Sequence, residues 1–594
     1  MKVDDQVDRP FQKVLVANRG EIAVRIIRAC RDLGIATVAV HSDADAGALH
    51  VRLADEAFRL PGTAAADTYL NVDAIVKALI DSGADALHPG YGFLSESPTL
   101  VGAVAESGRV FIGPSVDAIK VMGSKVSARA AAARAGVPLV PGTAGPVDSG
   151  EQVRAFGAQH GYPIAVKASY GGGGRGMRIV RTAEEADAAI EAAQREARSY
   201  FAQPEVYLER YLERPRHVEV QIFGDQHGTV VSLGNRDCTV QRRHQKLIEE
   251  APCAVISEKT RQEMEAAAVA LAASVGYVGA GTVEFLVEDD RFYFLEMNTR
   301  LQVEHPVTEM VTGLDLVAEQ LRVAAGWPLS FTQADIAVRG HAIELRINAE
   351  DPTDGLFRPT PGTLSELRAP LGYGVRFDCG YEAGDTVSEF YDGLIGKLVV
   401  HAADRSAAIE RALRALSELR IRGVATTVPA HRAILNHPTF RRDTHFTTWL
   451  ESDPTLRESL AAPAVSDPKE KTMSDRSFVT VGGRQYWIPF ITEDAAVAAA
   501  PPPEAPPVTA TGASRRSARM SGSPDGIVRA PMQGTIAALS VTVGAEVSAD
   551  DVVCVLEAMK MENPVTAGKA GTVAEVRVKV GDSVSPGDTM VVIR

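Results

Sequence analysis

Two strand-like segments carry carboxylates at positions where they could share a metal ion. Glu284 lies in the apolar run 283–286, Glu296 lies in 294–298, and the turn 289–290 separates them. Antiparallel pairing across this turn would bring both carboxylates to one face of a hairpin, where unpaired negative charges repel. A divalent cation relieves that repulsion, and hard oxygen ligands favour magnesium or manganese. The alternative is two exposed acids on an edge strand.

A run of glycines, 171–174, follows an apolar segment that ends at Lys167. Consecutive glycines cost backbone entropy, and they allow backbone N–H groups to wrap closely around anionic oxygens. Glycine runs also occur in linkers, but the preceding strand and Lys167 favour a phosphate-binding loop. It is not a Walker A loop, because no Lys-Ser/Thr pair follows the last glycine. With this loop upstream, the metal interpretation of the two glutamates becomes the better one.

Basic and polar residues concentrate in two further segments, 241–246 and 298–306. Arginine, glutamine and lysine beside candidate metal carboxylates indicate anion recognition, whereas a solvated face would explain only a few of these charges. His305 could be a general base or a packed core histidine. We favour packing, because Pro306 follows it and an acid already lies nearby.

The elements that must position these residues begin with a βαβ pattern. Strand-like runs at 14–17 and 37–40 flank a helical segment at 21–33 that stops at Gly34. The pattern repeats to about residue 114, which predicts an open α/β sheet in a first domain, 1–114. The turn 18–21 has one glycine where a dinucleotide fingerprint needs three, which argues against a nicotinamide site.

Further domains follow from periodicity and composition. We predict an α+β domain at 115–326, which holds the glycine loop and the hairpin, and an α+β closing domain at 327–450. A linker at 451–525 contains a short strand pair at 478–490, and a C-terminal all-β domain follows at 526–594. The stretch 495–525 is almost entirely Ala, Pro, Ser, Thr, Gly and Arg. It cannot bury a core and should behave as a partly extended tether.

The last segment contains an internal repeat. Residues 534–537, Gly-Thr-Ile-Ala, recur at 571–574 as Gly-Thr-Val-Ala. Two like halves of short strands predict a quasi-symmetric β domain. Lys560 lies between the halves, flanked by Met559 and Met561, where a turn would display it.

Composition excludes several classes of protein. The 594 residues are too many for one core, and 45% apolar residues are typical of globular chains. A net charge of -14 without a basic face argues against nucleic acid. The sequence has no long apolar stretch, so we expect no membrane span. The five scattered cysteines indicate reduced thiols and a cytoplasmic location.

Taken together, these motifs resemble the biotin carboxylases of the ATP-grasp superfamily. The resemblance runs from about residue 13 to 450 and rests on the segments 209–219, 236–238, 241–246 and 296–304. The run 557–561, Glu-Ala-Met-Lys-Met, is equally similar to biotinyl domains. Both parts in one chain without a carboxyltransferase domain look most like the alpha chains of acyl-CoA carboxylases, especially actinobacterial ones.

The resemblance implies a role for each matching position. The glycine loop would form a mobile lid over ATP. The residues at ATP and in this lid would be Lys125, Lys167, Gly173, Gly174, Met177, Glu209, Leu212, His217, Gln241 and His244. Magnesium or manganese would bind Glu284, Glu296 and Asn298, and bicarbonate would bind Lys246, Arg300, Gln302 and Val303. Glu304 would be the base that deprotonates bicarbonate, with Glu296 as its nearest competitor. Arg346 would stabilise the biotin enolate, and Lys560 would carry covalent biotin.

The implied function is ATP- and bicarbonate-dependent carboxylation of the chain's own biotin. Implied partners are a carboxyltransferase beta subunit, which would carboxylate acetyl-CoA, propionyl-CoA or longer acyl-CoA, and a biotin protein ligase, within an oligomeric complex. Departures from the family pattern at Arg210, Leu301 and 391–397 concern dimer contacts more than catalysis. A different ATP-grasp ligase would lack the lysine turn, and a lipoyl carrier would show Asp-Lys-Ala there.

The sequence predicts that Lys560 alone bears biotin, because it is the lysine displayed between the two repeats. Intact-mass measurement of the Lys560→Ala protein should show the loss of one biotin adduct relative to the parent chain. Retention of the adduct would contradict the assignment.

Overall fold

The computed structural model describes residues 10–143, 145–168, 177–201, 205–353, 355–461, 477–481, 484–488, 520–521, 526–530, 534–558, 561–584 and 587–594. The chain forms two compact units, Met1–Val465 and Ser466–Arg594.

The first unit opens with the predicted α/β sheet. Its elements are β1 (Lys13–Val16), α1 (Gly20–Asp32), β2 (Ala36–His41), α2 (Leu49–Leu53), β3 (Glu56–Arg59), α3 (Val72–Asp81), β4 (Ala86–His88), α4 (Pro98–Glu106) and β5 (Val110–Phe111). The strands are parallel in the order β3-β2-β1-β4-β5. Helix α1 buries Ile22, Ile26 and Ile27 at helical spacing in the core beside β1, so the 3.6-residue pattern read from the sequence is confirmed.

The next elements are α5 (Val116–Gly123), α6 (Lys125–Arg134), α7 (Gly150–His160), β6 (Ile164–Ala168), β7 (Met177–Val180), α8 (Ala186–Phe201) and β8 (Val206–Arg210). The three strands form a small antiparallel sheet in the order β7-β6-β8. The glycine run falls between β6 and β7 in the sequence and lies outside the described residues. In the register, Ala165 faces Glu209 and Lys167 faces Tyr207, which puts Lys167 and Glu209 on one face.

The chain continues through β9 (Arg216–Gly224), β10 (Val230–Arg242), β11 (Gln245–Ala251), α9 (Glu258–Ser274), β12 (Gly279–Glu288), β13 (Arg291–Asn298), α10 (His305–Thr312) and α11 (Leu316–Ala324). Closing elements are β14 (His341–Asn348), β15 (Glu350–Asp351), β16 (Arg358–Pro359), β17 (Gly362–Thr363), β18 (Glu366–Arg368), β19 (Val375–Cys379), β20 (Thr386–Val387), β21 (Leu394–Ala402), α12 (Arg405–Glu418), β22 (Arg420–Arg422), α13 (Val428–Asn436), α14 (Pro438–Arg441), α15 (Trp449–Ser452) and α16 (Pro454–Ala461).

One eight-stranded antiparallel sheet joins the middle of the first unit to its closing part. Its order is β13-β12-β9-β10-β11-β14-β21-β19. The pairing of β11 with β14 carries the sheet past residue 326, where the sequence predicts a domain boundary. The strands and the helix predicted at 341–348, 397–400 and 407–419 are confirmed. The boundaries between the three predicted domains of this unit stay predictions.

The second unit contains β23 (Ser477–Val481), β24 (Arg484–Ile488), β25 (Met520–Ser521), β26 (Ile527–Arg529), β27 (Gly534–Leu539), β28 (Glu546–Val547), β29 (Val552–Ala558), β30 (Met561–Thr566), β31 (Gly571–Val576), β32 (Ser583–Val584) and β33 (Thr589–Ile593). The strand pair predicted at 478–490 is confirmed as β23 and β24. Two sheets, β25-β30-β29-β27-β32 and β26-β33-β31-β28, enclose an apolar core. Except for 520–521, the predicted tether lies outside the described residues.

None of the helices that the structure describes is both long enough and apolar enough to cross a lipid bilayer.

Candidate active site

The predicted carboxylate hairpin forms as the sequence pattern indicated. Strands β12 and β13 pair antiparallel with Glu284 directly opposite Glu296. The turn is tight because Asp289 and Asp290 both adopt left-handed backbone angles, with φ of 52° and 58°. Partial desolvation and then the charge of Glu284 raise the pKa of Glu296. The two acids therefore repel, which is the condition under which a cation would bind between them.

Lys246 is the centre of a buried ion cluster. Its Nζ lies 2.7 Å from Oε2 of Glu219, 2.6 Å from Oε1 of Glu304 and 3.1 Å from Oε1 of Glu284. The acids come from β9, from the residue before α10 and from β12, so three distant segments meet at one ammonium group. Burial opposes its charge, yet these carboxylates raise the pKa of Lys246 well above its usual value. Lys246 is thus a permanent cation.

Glu304 is fully buried between two cations. Lys246 lies at Oε1, and Nη2 of Arg346 donates a 2.9 Å hydrogen bond to Oε2. The same guanidinium donates through Nε to Glu249 at 2.6 Å. Although burial favours the protonated form, Lys246, Arg346 and Arg236 hold the pKa of Glu304 well below its usual range. The predicted base is therefore ionised.

The loop between β13 and α10 is organised around Arg300. Its guanidinium donates to Oδ1 of Asn298 at 3.0 Å, to Oε1 of Gln302 at 2.8 Å and to Oε2 of Glu96 at 3.0 Å. Asn298 and Gln302 each donate a side-chain hydrogen bond to Oε1 of Glu284, at 2.8 Å and 3.1 Å. The predicted metal and bicarbonate residues thus belong to one continuous polar network.

The candidate nucleotide residues lie around the small sheet and the start of α6. Lys167 forms an ion pair with Glu209, whose other oxygen is 3.3 Å from Nη1 of Arg129. Leu212, just after β8, is buried. Lys125 begins α6 with an exposed side chain, and its charge lowers the pKa of Glu296, which opposes the desolvation that raises it. Lys125 is therefore within electrostatic reach of the hairpin.

The remaining predicted nucleotide residues are distributed unevenly. Nε2 of His217 lies 2.9 Å from Oε2 of Glu284, and one ligand atom each of His217, Glu219 and Glu284 fall within 4.8 Å of one another. Gln241 is buried near the end of β10. His244 is exposed in the turn between β10 and β11, with φ of 64°. The structure brings His217 to Glu284, one of the two hairpin acids, and places His244 at the tip of the turn between β10 and β11.

Three predicted residues, Gly173, Gly174 and Lys560, lie outside the described residues. Met177 begins β7. In the second unit Ala558 pairs with Met561 across β29 and β30, so the strands that flank position 560 in the sequence are paired to their ends. Display of a lysine at a turn requires two paired strands, and these flank position 560 in the sequence.

His305 is a packed histidine, as the sequence analysis favoured. Its side chain is fully buried, and Nδ1 lies 2.7 Å from the carbonyl oxygen of Gln302. Burial and then the charge of Lys397 lower its pKa well below the usual value, so the ring is neutral. Lys397, itself fully buried, donates to the carbonyl oxygen of Val303 at 2.8 Å and lies 3.1 Å from Glu21. The contact of His305 with Gln302 and the contact of Lys397 with Val303 fix the backbone that precedes α10.

The arrangement contains residues that sequence reasoning gave no role: Glu96, Glu219, Arg236, Glu249 and Lys397. Arg236 is fully buried and donates 2.6 Å hydrogen bonds to Glu219 and Gln221. The signal for Glu219 was present, because His217, Glu219 and Gln221 alternate along β9 and share a face. No pattern indicated Glu96, which reaches Arg300 from the N-terminal sheet region.

The donor set fits a hard divalent cation. Glu284, Glu296 and Asn298 offer oxygen ligands, the type that magnesium and manganese prefer. Lys246 and Arg346 converge on Glu304 from two strands, and two cations in this arrangement could also pair with a small oxyanion. A metal-activated phosphate and an anionic nucleophile would thus meet at a pre-ionised base.

Known protein families match this chain in four segments. Family models match at residues 10–119 (Biotin carboxylase, N-terminal domain), 124–332 (Carbamoyl-phosphate synthase L chain, ATP binding domain), 344–452 (Biotin carboxylase C-terminal domain) and 527–593 (Biotin-requiring enzyme). The biotin-dependent acyl-coenzyme A carboxylase alpha3 subunit of Mycobacterium leprae is 45% identical over 94% of this chain and 94% of its own. The biotin carboxylase of Haemophilus influenzae is 52% identical over 73% of this chain and 96% of its own.

Solved structures extend the likeness. The biotin carboxylase of Campylobacter jejuni in a β,γ-ATP complex superposes with a TM-score of 0.69 at 42% identity, over 75% of this chain and 99% of that one. The biotin carboxylase domain of 2-oxoglutarate carboxylase from Hydrogenobacter thermophilus, in complex with MgADP, ADP and bicarbonate, superposes with a TM-score of 0.68 at 45% identity. The match covers 75% of this chain and 98% of that one. The chain belongs to the biotin carboxylase family, and a biotinyl domain is fused to its C-terminal end.

The Lys246 cluster makes a specific stability prediction. Lys246→Met leaves Glu219, Glu284 and Glu304 without their shared cation, so the free energy of unfolding should fall by about 3 kcal/mol or more at pH 7.5. Urea unfolding in the absence of divalent cations measures it. The exposed Lys259→Met, which removes a surface pair with Glu263, should cost under about 1 kcal/mol.

The penalty should also depend on pH. In the parent chain the pKa values of Glu284 and Glu304 are depressed, so their stabilisation is complete above the unfolded value of about 4.3 and does not change between pH 7.5 and 5. In Lys246→Met the freed carboxylates take up protons in that range, and the difference between the proteins should shrink. A penalty that stays constant would contradict the cluster.

Proposed function

We propose that this protein uses ATP to carboxylate, with bicarbonate, the biotin attached to its own Lys560, and that the carboxyl group then passes to a separate carboxyltransferase subunit acting on acyl-CoA. The observation that carries the proposal is Glu304, buried and ionised between Lys246 and Arg346. A base in that setting suits a small oxyanion substrate, and the biotinyl domain in the same chain supplies an acceptor.

The hairpin acids would hold a divalent cation that neutralises charge on the ATP phosphates. Glu284, Glu296 and Asn298 supply its oxygen ligands, and Lys125 and Lys167 add positive charge beside the phosphates. His217 would help to orient Glu284, which it approaches at 2.9 Å. Gly173, Gly174 and Met177 would belong to the lid, while Glu209, Leu212, Gln241 and His244 would contact the nucleotide.

Bicarbonate would bind between Lys246, Arg300, Gln302 and the backbone of Val303. A bound anion shares the two cations that now neutralise Glu304, which raises the proton affinity of that carboxylate. Glu304 can then take the bicarbonate proton within hydrogen-bond reach, while the oxyanion attacks the transferred phosphoryl group. Closure of the lid would exclude water from the activated product.

Biotin would supply the ureido nitrogen that accepts the carboxyl group. Arg346 would hold the ureido oxygen, and this role is supported by the hydrogen bonds from two of its nitrogens to Glu304 and Glu249, which orient the guanidinium. A fixed guanidinium stabilises developing oxyanion charge without reorganisation.

The proposed assembly includes a carboxyltransferase beta subunit, a biotin protein ligase that loads Lys560, and oligomeric contacts. The acyl-CoA acceptor, acetyl, propionyl or longer, would be chosen by the carboxyltransferase. The name of the Mycobacterium leprae relative, an acyl-coenzyme A carboxylase subunit, supports this pairing. A cytoplasmic location is supported by the five cysteines, which are all free thiols.

The metal role predicts the effect of Glu296→Gln. The substitution keeps shape but removes one ligand charge, so bicarbonate-dependent ATP hydrolysis should fall by at least about a hundredfold. ADP release measures it. Asp289→Asn in the turn of the same hairpin is the matched control and should leave the rate unchanged, because Asp289 is exposed in the turn, beyond the end of the strand that carries Glu284. Near-normal hydrolysis by Glu296→Gln would show that Glu296 does not hold a catalytic metal ion.

If 495–525 is a tether, acyl-CoA carboxylation should depend on its length. About thirty flexible residues span roughly 30 Å on average and up to about 100 Å when extended, enough to visit two sites. With a carboxyltransferase supplied, deleting about twenty residues of 495–525 should lower acyl-CoA carboxylation, whereas a Gly/Ser run of equal length should preserve it. Assays on acetyl-, propionyl- and longer acyl-CoA identify the acceptor. Loss of activity with the Gly/Ser run, at normal ATP cleavage, would make the segment a docking element instead.

A further inference from the structure

Behind Arg346 lies a pair of buried acids that the proposed mechanism does not use. Strands β11 and β14 pair antiparallel with Glu249 directly opposite Glu344, so both side chains project from the same face of the sheet. Both residues are fully buried. Arg346 follows Glu344 by two positions on β14 and therefore shares that face.

The two carboxyl groups differ in their partners. Oε1 of Glu249 accepts the 2.6 Å hydrogen bond from Nε of Arg346, while its Oε2 has no hydrogen-bond partner among the described residues. Neither oxygen of Glu344 has a partner in that same part of the chain. A buried carboxylate with no donor would cost several kcal/mol, so Glu344 must keep a proton. A carboxylic acid can donate that proton to a facing carboxylate oxygen.

The surrounding charges lead to the same conclusion. The charged groups that act on the pair are Arg346 on the same strand, Lys397 on β21, Lys246 on β11 and Glu304 before α10. Lys246 is already shared among three acids and Lys397 is paired with Glu21, so Arg346 is the only one of these three cations that donates a hydrogen bond to either acid. Glu304 is neutralised by both Lys246 and Arg346. Glu344 makes no hydrogen bond within the described part of the chain, so it is the acid that keeps a proton.

We propose that Glu249 and Glu344 share one proton and act together as the positioning pair for Arg346, with ionised Glu249 holding Nε so that the outer nitrogens face Glu304 and the ureido oxygen of biotin. This inference rests on the proposed function and adds two residues to its last step. Neither acid touches substrate. Their effect is to fix the plane and the charge environment of the guanidinium.

The pair makes biotin carboxylation dependent on pH. Burial raises the pKa of Glu249 to about 7, against the opposing charge of Arg346, and burial raises the pKa of Glu344 well above its usual value. As pH falls through about 7, Glu249 takes a second proton into the pair and Arg346 loses its anionic anchor. The turnover rate with biotin should therefore fall on the acid side, while Glu344 stays protonated throughout.

The test uses the full chain with ATP, bicarbonate and excess free biotin from pH 6 to 9. Glu249→Gln should lower the biotin-dependent kcat at pH 8 by about tenfold or more and should remove the acid limb near pH 7, with KM for ATP within about twofold of the parent. Glu249→Asp keeps the charge and should restore the limb. Glu344→Gln mimics the neutral acid and should keep kcat within about threefold.

Glu350→Gln is the matched control. Glu350 is buried and burial raises its pKa to about 7, but its hydrogen bond comes from Asn348. This variant should leave the pH profile unchanged. Bicarbonate-dependent ATP hydrolysis measured without biotin and the thermal unfolding midpoint report whether each variant is folded.

Two results would overturn the pair. One is a Glu249→Gln protein with the parent kcat and the parent acid limb. The other is a Glu344→Gln protein that loses as much activity as Glu249→Gln, since the amide should replace a neutral acid. If Glu249→Gln does not fold, Glu249→Asp and Glu344→Gln still decide between these outcomes. A parent chain that does not carboxylate biotin at all would instead contradict the proposed function.

Discussion

The ion cluster at Lys246 is the interaction on which the rest of the site depends. Removing an ammonium and three carboxylates from water is unfavourable unless each charge finds partners at short distance. Here the partners come from β9, β12 and the start of α10, so the cluster can form only when those segments are already packed. Once formed, it resists rearrangement, because moving any one acid would leave another charge buried and unpaired.

The eight-stranded sheet supplies this geometry. Side chains alternate between the two faces along each strand, and this sets the faces of His217 and Glu219 on β9, of Glu249 on β11 and of Arg346 on β14. Antiparallel pairing sets the distances between the strands that carry them. Because β11 pairs with β14, residues of the ATP-binding part and of the closing part share one rigid surface. The N-terminal part contributes from outside the sheet, through the contact between Glu96 and Arg300 and the ion pair between Glu21 and Lys397.

The two sides of this polar region have different electrostatic characters. Around the hairpin, Glu284 and Glu296 face each other with a raised pKa at Glu296, a state that a cation would relieve. Around Arg346 the acids Glu304 and Glu249 share the guanidinium, while Glu344 is buried without a hydrogen-bond partner among the described residues, a state that a proton relieves. A cation between the hairpin acids and a proton on Glu344 would perform the same electrostatic task at opposite ends of one network.

The sequence by itself determined the elements and the local pairs. Alternating periodicities predicted the strands, the helices and the acid hairpin, because these features depend on residues close along the chain, and the internal repeat predicted the β domain. Motif resemblance gave the candidate residues. It did not indicate that Lys246 joins three acids, that Glu249 holds Arg346 or that Glu344 lacks a hydrogen-bond partner among the described residues. Those facts depend on strand order and register across many residues, and burial then sets each charge state, so only the tertiary structure decided them.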